Sequence, residues 1–65
     1  MSAEELIEEI KDLRMLYVMS KNKVPHYISL NQITRNKIAS VSSILDMEIL
    51  VDDYLKDDEI RLLRK

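Results

Sequence analysis

Residues Ser29 to Leu55, SLNQITRNKIASVSSILDMEILVDDYL, decide how this chain is read. The stretch contains neither Gly nor Pro and carries much of the apolar mass. Stepped at about 100° per residue, Leu30, Ile33, Val41, Ile44, Val51 and Leu55 share one face, as in an amphipathic helix. The spacing predicts a long second helix over about 29–56, about 40 Å long at 1.5 Å per residue. Ser29-Leu30-Asn31-Gln32 reads as a capping box at its start, with Ile28 and Ile33 placed as a hydrophobic staple. The weak joint is Asn36–Ser43, NKIASVSS, because Ser and β-branched residues favour helix poorly. A break there, capped by Ser43, would give three helices instead of two.

Upstream, Ser2-Ala3-Glu4-Glu5 is a second capping box, and Met1 and Leu6 stand where its staple would sit. Glu4 and Glu5 also complement the positive end of the helix dipole. A first helix over about 2–21 follows, with Ala3, Leu6, Ile10, Leu13, Tyr17 and Ser20 alternating at spacings of about three and four. Ile7 and Leu16 widen that seam. Met15, Val18 and Met19 point away from it, to be covered by the following loop or to form an adaptable contact patch. The segment SKNKVPHYI breaks the helix: Asn22 suits the left-handed closing residue and Pro25 follows it. Pro25 also pushes Val24 toward extended geometry. His26 and Tyr27 read as loop residues, and His26 has no Ser, Cys or carboxylate motif beside it. At the other end, Asp57 or Asp58 can cap a short C-terminal helix, EIRLLRK, or the second helix runs on and frays.

The size of the chain sets what these helices must do. Its 65 residues make one small helical domain, 1–65, able to bury only about 60% of its unfolded surface. With no Cys and one His, disulfides and thiolate or imidazole-rich metal sites are excluded. Oligomerisation is the remaining aid to stability. The absence of Gly argues against tight hairpins. The expected architecture is all-α, a helical hairpin that dimerises into an antiparallel four-helix bundle. No apolar run approaches the roughly 18 residues of a membrane span. MSAEELIEEI is acidic where a signal peptide is basic, so a cytoplasmic protein is expected.

Charge is arranged in blocks. Residues 1–12 carry −4, residues 13–45 carry +5, residues 46–58 carry −5 and residues 59–65 carry +2, for a net −2. Two antiparallel hairpins would set basic tip against acidic end twice, which orients a pair more than it strengthens it. The interface of such a bundle would be Leu6, Ile10, Leu13, Tyr17, Val41, Ile44, Met47, Val51, Tyr54 and Leu55. Lys37 and Glu48 fall within the apolar face of the second helix. A buried, unpaired carboxylate costs several kcal/mol or is neutralised. Glu48 is therefore expected to pair with Lys37 or Arg14, or to lie at a wet edge, fixing the register of the seam. Asp52, Asp53, Asp57 and Asp58 lack the spacing and glycine of a calcium loop and read as a solvated face.

The function expected from these features is non-enzymatic: a protein–protein interaction module, adaptor or regulator, working as a homodimer or on a protein partner, with no cofactor. One alternative is nucleic-acid binding through Arg14, Lys21, Lys23, Arg35 and Lys37. The helix-turn-helix pattern fits poorly, since Ile33 to Leu45 is too short and its turn lacks Gly. Another alternative is a phosphorelay or enzyme regulator using Asp46 or Glu48. Ser42-Ser43-Ile44-Leu45-Asp46 with Tyr54 downstream is superficially similar to the helical-hairpin phosphatases of sporulation phosphorelays. Tyr54 is too distant and the Ser is not followed by Gln, so no membership follows.

Overall fold

The computed structural model describes residues 2–41 and 43–64. Helix α1 spans Ala3–Lys21 and is followed by strand β1 (Tyr27–Leu30) and a short helix α2 (Gln32–Lys37). Strands β2 (Ser43–Ile44), β3 (Met47–Val51) and β4 (Arg61–Leu63) complete the chain. The fold is mixed α/β. Among the described residues there is no all-α hairpin, no helix over 29–56 and no C-terminal helix, so the four-helix bundle expected from the sequence has no basis. The stretch Ser29–Leu55 instead supplies a strand, a helix of under two turns and a β-hairpin.

The ends of α1 are set as the sequence implies. Glu5 N donates to Ser2 Oγ at 3.2 Å and Ser2 N donates to Glu5 Oε1 at 3.4 Å. Asn22 closes the helix in the left-handed region, φ 55°, with its N–H donating to Val18 O at 2.8 Å. Met1, the outer half of the expected staple, lies outside the described residues.

The second cap forms two residues later than expected. Ser29 sits within β1, and Asn31 caps α2, its side chain accepting from Thr34 N at 2.7 Å. Gln32 N donates to Asp53 Oδ1 rather than being served by a box with Ser29. Ile28 is fully buried while Ile33 is exposed, so the expected staple pair does not meet. The helix stops at Ile38, where NKIASVSS offers too little propensity to extend it without tertiary help.

Four strands lie in the order β2-β3-β1-β4. β1 runs parallel to β3, with Tyr27 opposite Glu48 and Leu30 opposite Val51. On its other side β1 is antiparallel to β4, pairing Ile28 with Leu62. Side chains alternate between faces. Ile28, Leu30, Ile44, Met47, Ile49 and Leu62 face α1, where Leu6 and Ile10 are fully buried against them with Ile38. Each such side chain contributes roughly 1.5–3 kcal/mol when fully buried. The same alternation puts Tyr27, Ser29, Glu48, Leu50, Arg61 and Leu63 on the outer face.

The β2–β3 hairpin turns on Leu45 and Asp46, at φ 50° and 65°. A two-residue turn of this hand needs positive φ at both positions and normally recruits Asn or Gly. Here two L-residues with full side chains occupy it, at a cost of roughly 1–2 kcal/mol each. Packing of Ile44 and Met47 in the core outweighs that cost. The lack of glycine thus does not prevent a tight hairpin.

A polar network ties α2 to the loop before β4. Asn31 Nδ2 donates to Leu55 O at 3.3 Å and to Asp57 Oδ1 at 2.7 Å. Asp58 N donates to Thr34 Oγ1 at 2.8 Å, and Lys37 Nζ meets Asp58 Oδ1 at 2.7 Å. The aspartates of this loop are structural acceptors, not merely a solvated face. The hydrogen bond from Lys37, with its charge, holds the Asp58 carboxyl below its ordinary value. Glu59 is lowered as well, chiefly by the backbone N–H of Lys56, helped by Arg61.

Three outcomes follow. Asn31→Ala removes a helix cap and strands buried partners, and should destabilise the fold by about 2–4 kcal/mol in urea denaturation. That is a large part of the roughly 3–10 kcal/mol expected of a domain this size. Asp46→Gly relieves one left-handed residue and should stabilise the fold by roughly 0.5–1 kcal/mol, read as a higher urea midpoint. Carboxyls lowered by folding contribute stability that is present above their unfolded values and lost as pH falls through the folded ones. The thermal midpoint should therefore hold steady from about pH 8 to about pH 5 and fall below it, less steeply in Lys37→Ala.

Candidate functional site

Half of the residues expected at an interface are spent inside the chain. Leu6, Ile10, Ile44, Met47 and Leu55 are buried, and Val41 packs against the core. Leu13 and Tyr17 are half-buried on α1. Val51 is exposed at the end of β3, and Tyr54 projects fully into solvent from the following loop. The polar seam of Lys37 and Glu48 does not exist, because the helix that aligned them does not form. Lys37 meets Asp58, and Glu48 is exposed on the outer face of the sheet beside Tyr27.

The five basic candidates do not form one surface. Arg35 Nη1 donates to Ile38 O at 2.7 Å, closing the end of α2, and Lys37 holds Asp58. Lys21 lies over the Tyr17 ring, 5.0 Å from its centre. Arg14 is half-buried on α1 and Lys23 is exposed after it. Four of the five already serve structural contacts or lie partly covered, which leaves little charge for phosphate neutralisation.

Around α1 the surface changes character along the helix. Opposite Leu6 and Ile10 its first three turns expose Glu4, Glu5, Glu8, Glu9 and Asp12. The last two turns expose Met15, Leu16 and Met19, at 61%, 62% and 75%. Grooves flank these turns on both sides. On one, Leu13, Leu16, Tyr17, Ile60 and Leu62 line about 420 Å³ between α1 and β4. On the other, Lys11, Arg14, Met15, Val18, Met19 and Leu45 line about 350 Å³ beside the hairpin turn. Arg14 Nε is buried there without a hydrogen-bond acceptor among the described residues.

A second feature escaped the sequence reading. His26, Tyr27, Asp46 and Glu48 line a depression of about 200 Å³ at the end of the β1–β3 pair. The parallel pairing brings them together: Glu48 N donates to His26 O at 3.0 Å. Nothing in the sequence spacing signals this, since it depends on β1 and β3 lying side by side. The depression is shallow and open. A substrate there would remain hydrated, without the dry, preorganised surroundings that give catalytic groups their leverage. Among the described residues, no group of three or more His, Cys, Asp or Glu converges to hold a metal ion. No described helix is long and apolar enough to cross a membrane.

Neither the geometry of α1 nor that of the sheet comes with a known relative: no family model, curated protein or solved structure matches the chain.

Proposed function

We propose that the chain is a small non-enzymatic protein–protein interaction module, a cytoplasmic adaptor or regulator that associates through the last two turns of α1. One observation carries the reading. Met15, Leu16 and Met19 form a continuous apolar surface on a helix whose earlier turns expose carboxylates. Contiguous exposed apolar patches on small domains mark contact sites. Methionine suits them because its flexible thioether adapts to the opposing surface. The grooves beside Leu45 and beside Ile60 and Leu62 extend the surface beyond a single helical stripe. The nucleic-acid and enzymatic readings have less support, from a scattered set of cations and a shallow polar depression.

The test is a photo-reactive amino acid placed at Met19 of the whole chain in its native cells. A discrete adduct is expected on illumination, and none from the same probe at Glu4. A probe at Leu16 should lose its adduct when Met15 and Met19 are both changed to Glu. Those exposed positions should shift stability by no more than about 0.5 kcal/mol, so loss of the adduct would not reflect unfolding. Absence of any adduct from Met19 would end the reading.

A further inference from the structure

We infer that the surface on the last two turns of α1 is occupied by α1 of a second copy, lying antiparallel about a twofold axis near Met15. This rests on the interaction reading above and names its partner. Charge along α1 carries the choice. The exposed side of the helix runs from Glu4, Glu5, Glu8 and Asp12 through the apolar Met15, Leu16 and Met19. Beyond the apolar turns comes Lys23, exposed, while Lys21 turns over the Tyr17 ring on the neighbouring side. A helix that is acidic at one end, apolar in the middle and basic at the other complements a reversed copy of itself. Parallel pairing would set these four carboxylates against the same four.

The register follows from the axis. With Met15 facing Met15 of the partner, Glu8 comes level with Asn22 and Lys23 of the other copy. Asp12 comes level with Val18, one turn from Arg14. The guanidinium of Arg14 borders this groove, and its Nε lacks an acceptor within the described chain. Closed twofold pairing also satisfies each copy identically. The arrangement joins two α/β units by one helix each and leaves both cores intact.

The contact is modest in size. A standard interface takes about 800 Å² from each partner. That is roughly one-sixth of the 4536 Å² exposed by the whole chain. The apolar turns therefore need Leu45, Lys11 and the charged flanks to reach it, and association falls between about 1 μM and about 1 mM.

Sedimentation equilibrium of the purified chain across that range is the test. The mass should rise from the 7.7 kDa of one copy toward twice that value, and the transition should move to higher concentration with added salt. Met15→Glu with Met19→Glu should hold the mass at one copy while leaving the circular dichroism spectrum unchanged. Lys23→Glu should weaken association at least threefold, and Glu8→Lys in the same chain should restore it. A monomer throughout, or a dimer indifferent to the two methionine substitutions, would overturn the inference. If the pure chain stays monomeric while the Met19 probe yields an adduct with a different protein, the second-copy assignment fails and the interaction reading survives. If neither occurs, both fail.

Discussion

The side-chain amide of Asn31 is the tie on which the rest of this small fold depends. It sits where β1 ends and α2 begins, buried to 6% exposure, and makes three hydrogen bonds there. Its oxygen serves the first turn of α2, while its nitrogen holds the carbonyl of Leu55 and the carboxylate of Asp57. A buried helix start leaves backbone donors that water cannot reach, so something polar must occupy the position. An aspartate could cap the helix but could not donate to the loop. A serine could not reach both. Through this one group the direction of the chain after β1, the placement of α2 and the path toward β4 are coupled.

The first helix was legible because both of its ends are written locally. Ser2 with Glu5 starts it and Asn22 stops it, and neither needs anything distant. The stretch after it was not, because its apolar residues satisfy two periods. Leu30, Ile33, Val41 and Ile44 share a helical face, yet Ile28 with Leu30 and Met47 with Ile49 alternate just as well. Short apolar runs do not distinguish the two. What decides is tertiary: Asn31 reaching Leu55, and Lys37 reaching Asp58, both over 20 residues apart. The argument from missing glycine failed for a related reason. Leu45 and Asp46 accept left-handed geometry because Ile44 and Met47 are worth more in the core than the turn loses.

The candidate surface divides in the same way. Met15, Val18 and Met19 were visible in the sequence as residues turned away from the seam of the first helix. The walls beside them were not. Leu45 arrives from the hairpin turn and Ile60 and Leu62 from the last strand, so the grooves exist only once the sheet is assembled. A chain this short cannot cover all of its apolar surface. Among the described residues eight buried apolar side chains make the core, and α1 contributes Leu6 and Ile10 to it, both from its first half. The exposed end of α1 is what remains.

The strand order carries a consequence for how the chain is made. β1 is flanked by β3 and β4, neither of them adjacent in sequence, and β4 is synthesised after the other three strands of the sheet. When α1 and β1 emerge from the ribosome, β1 has no neighbour on either side. Its backbone edge on the β4 side stays unpaired until Arg61–Leu63 arrives. α1 and the β2–β3 hairpin rest on near-neighbour contacts and can form early. Closure of the sheet is then a late, non-local event, the kind that slows folding and leaves a nascent chain open to chaperones.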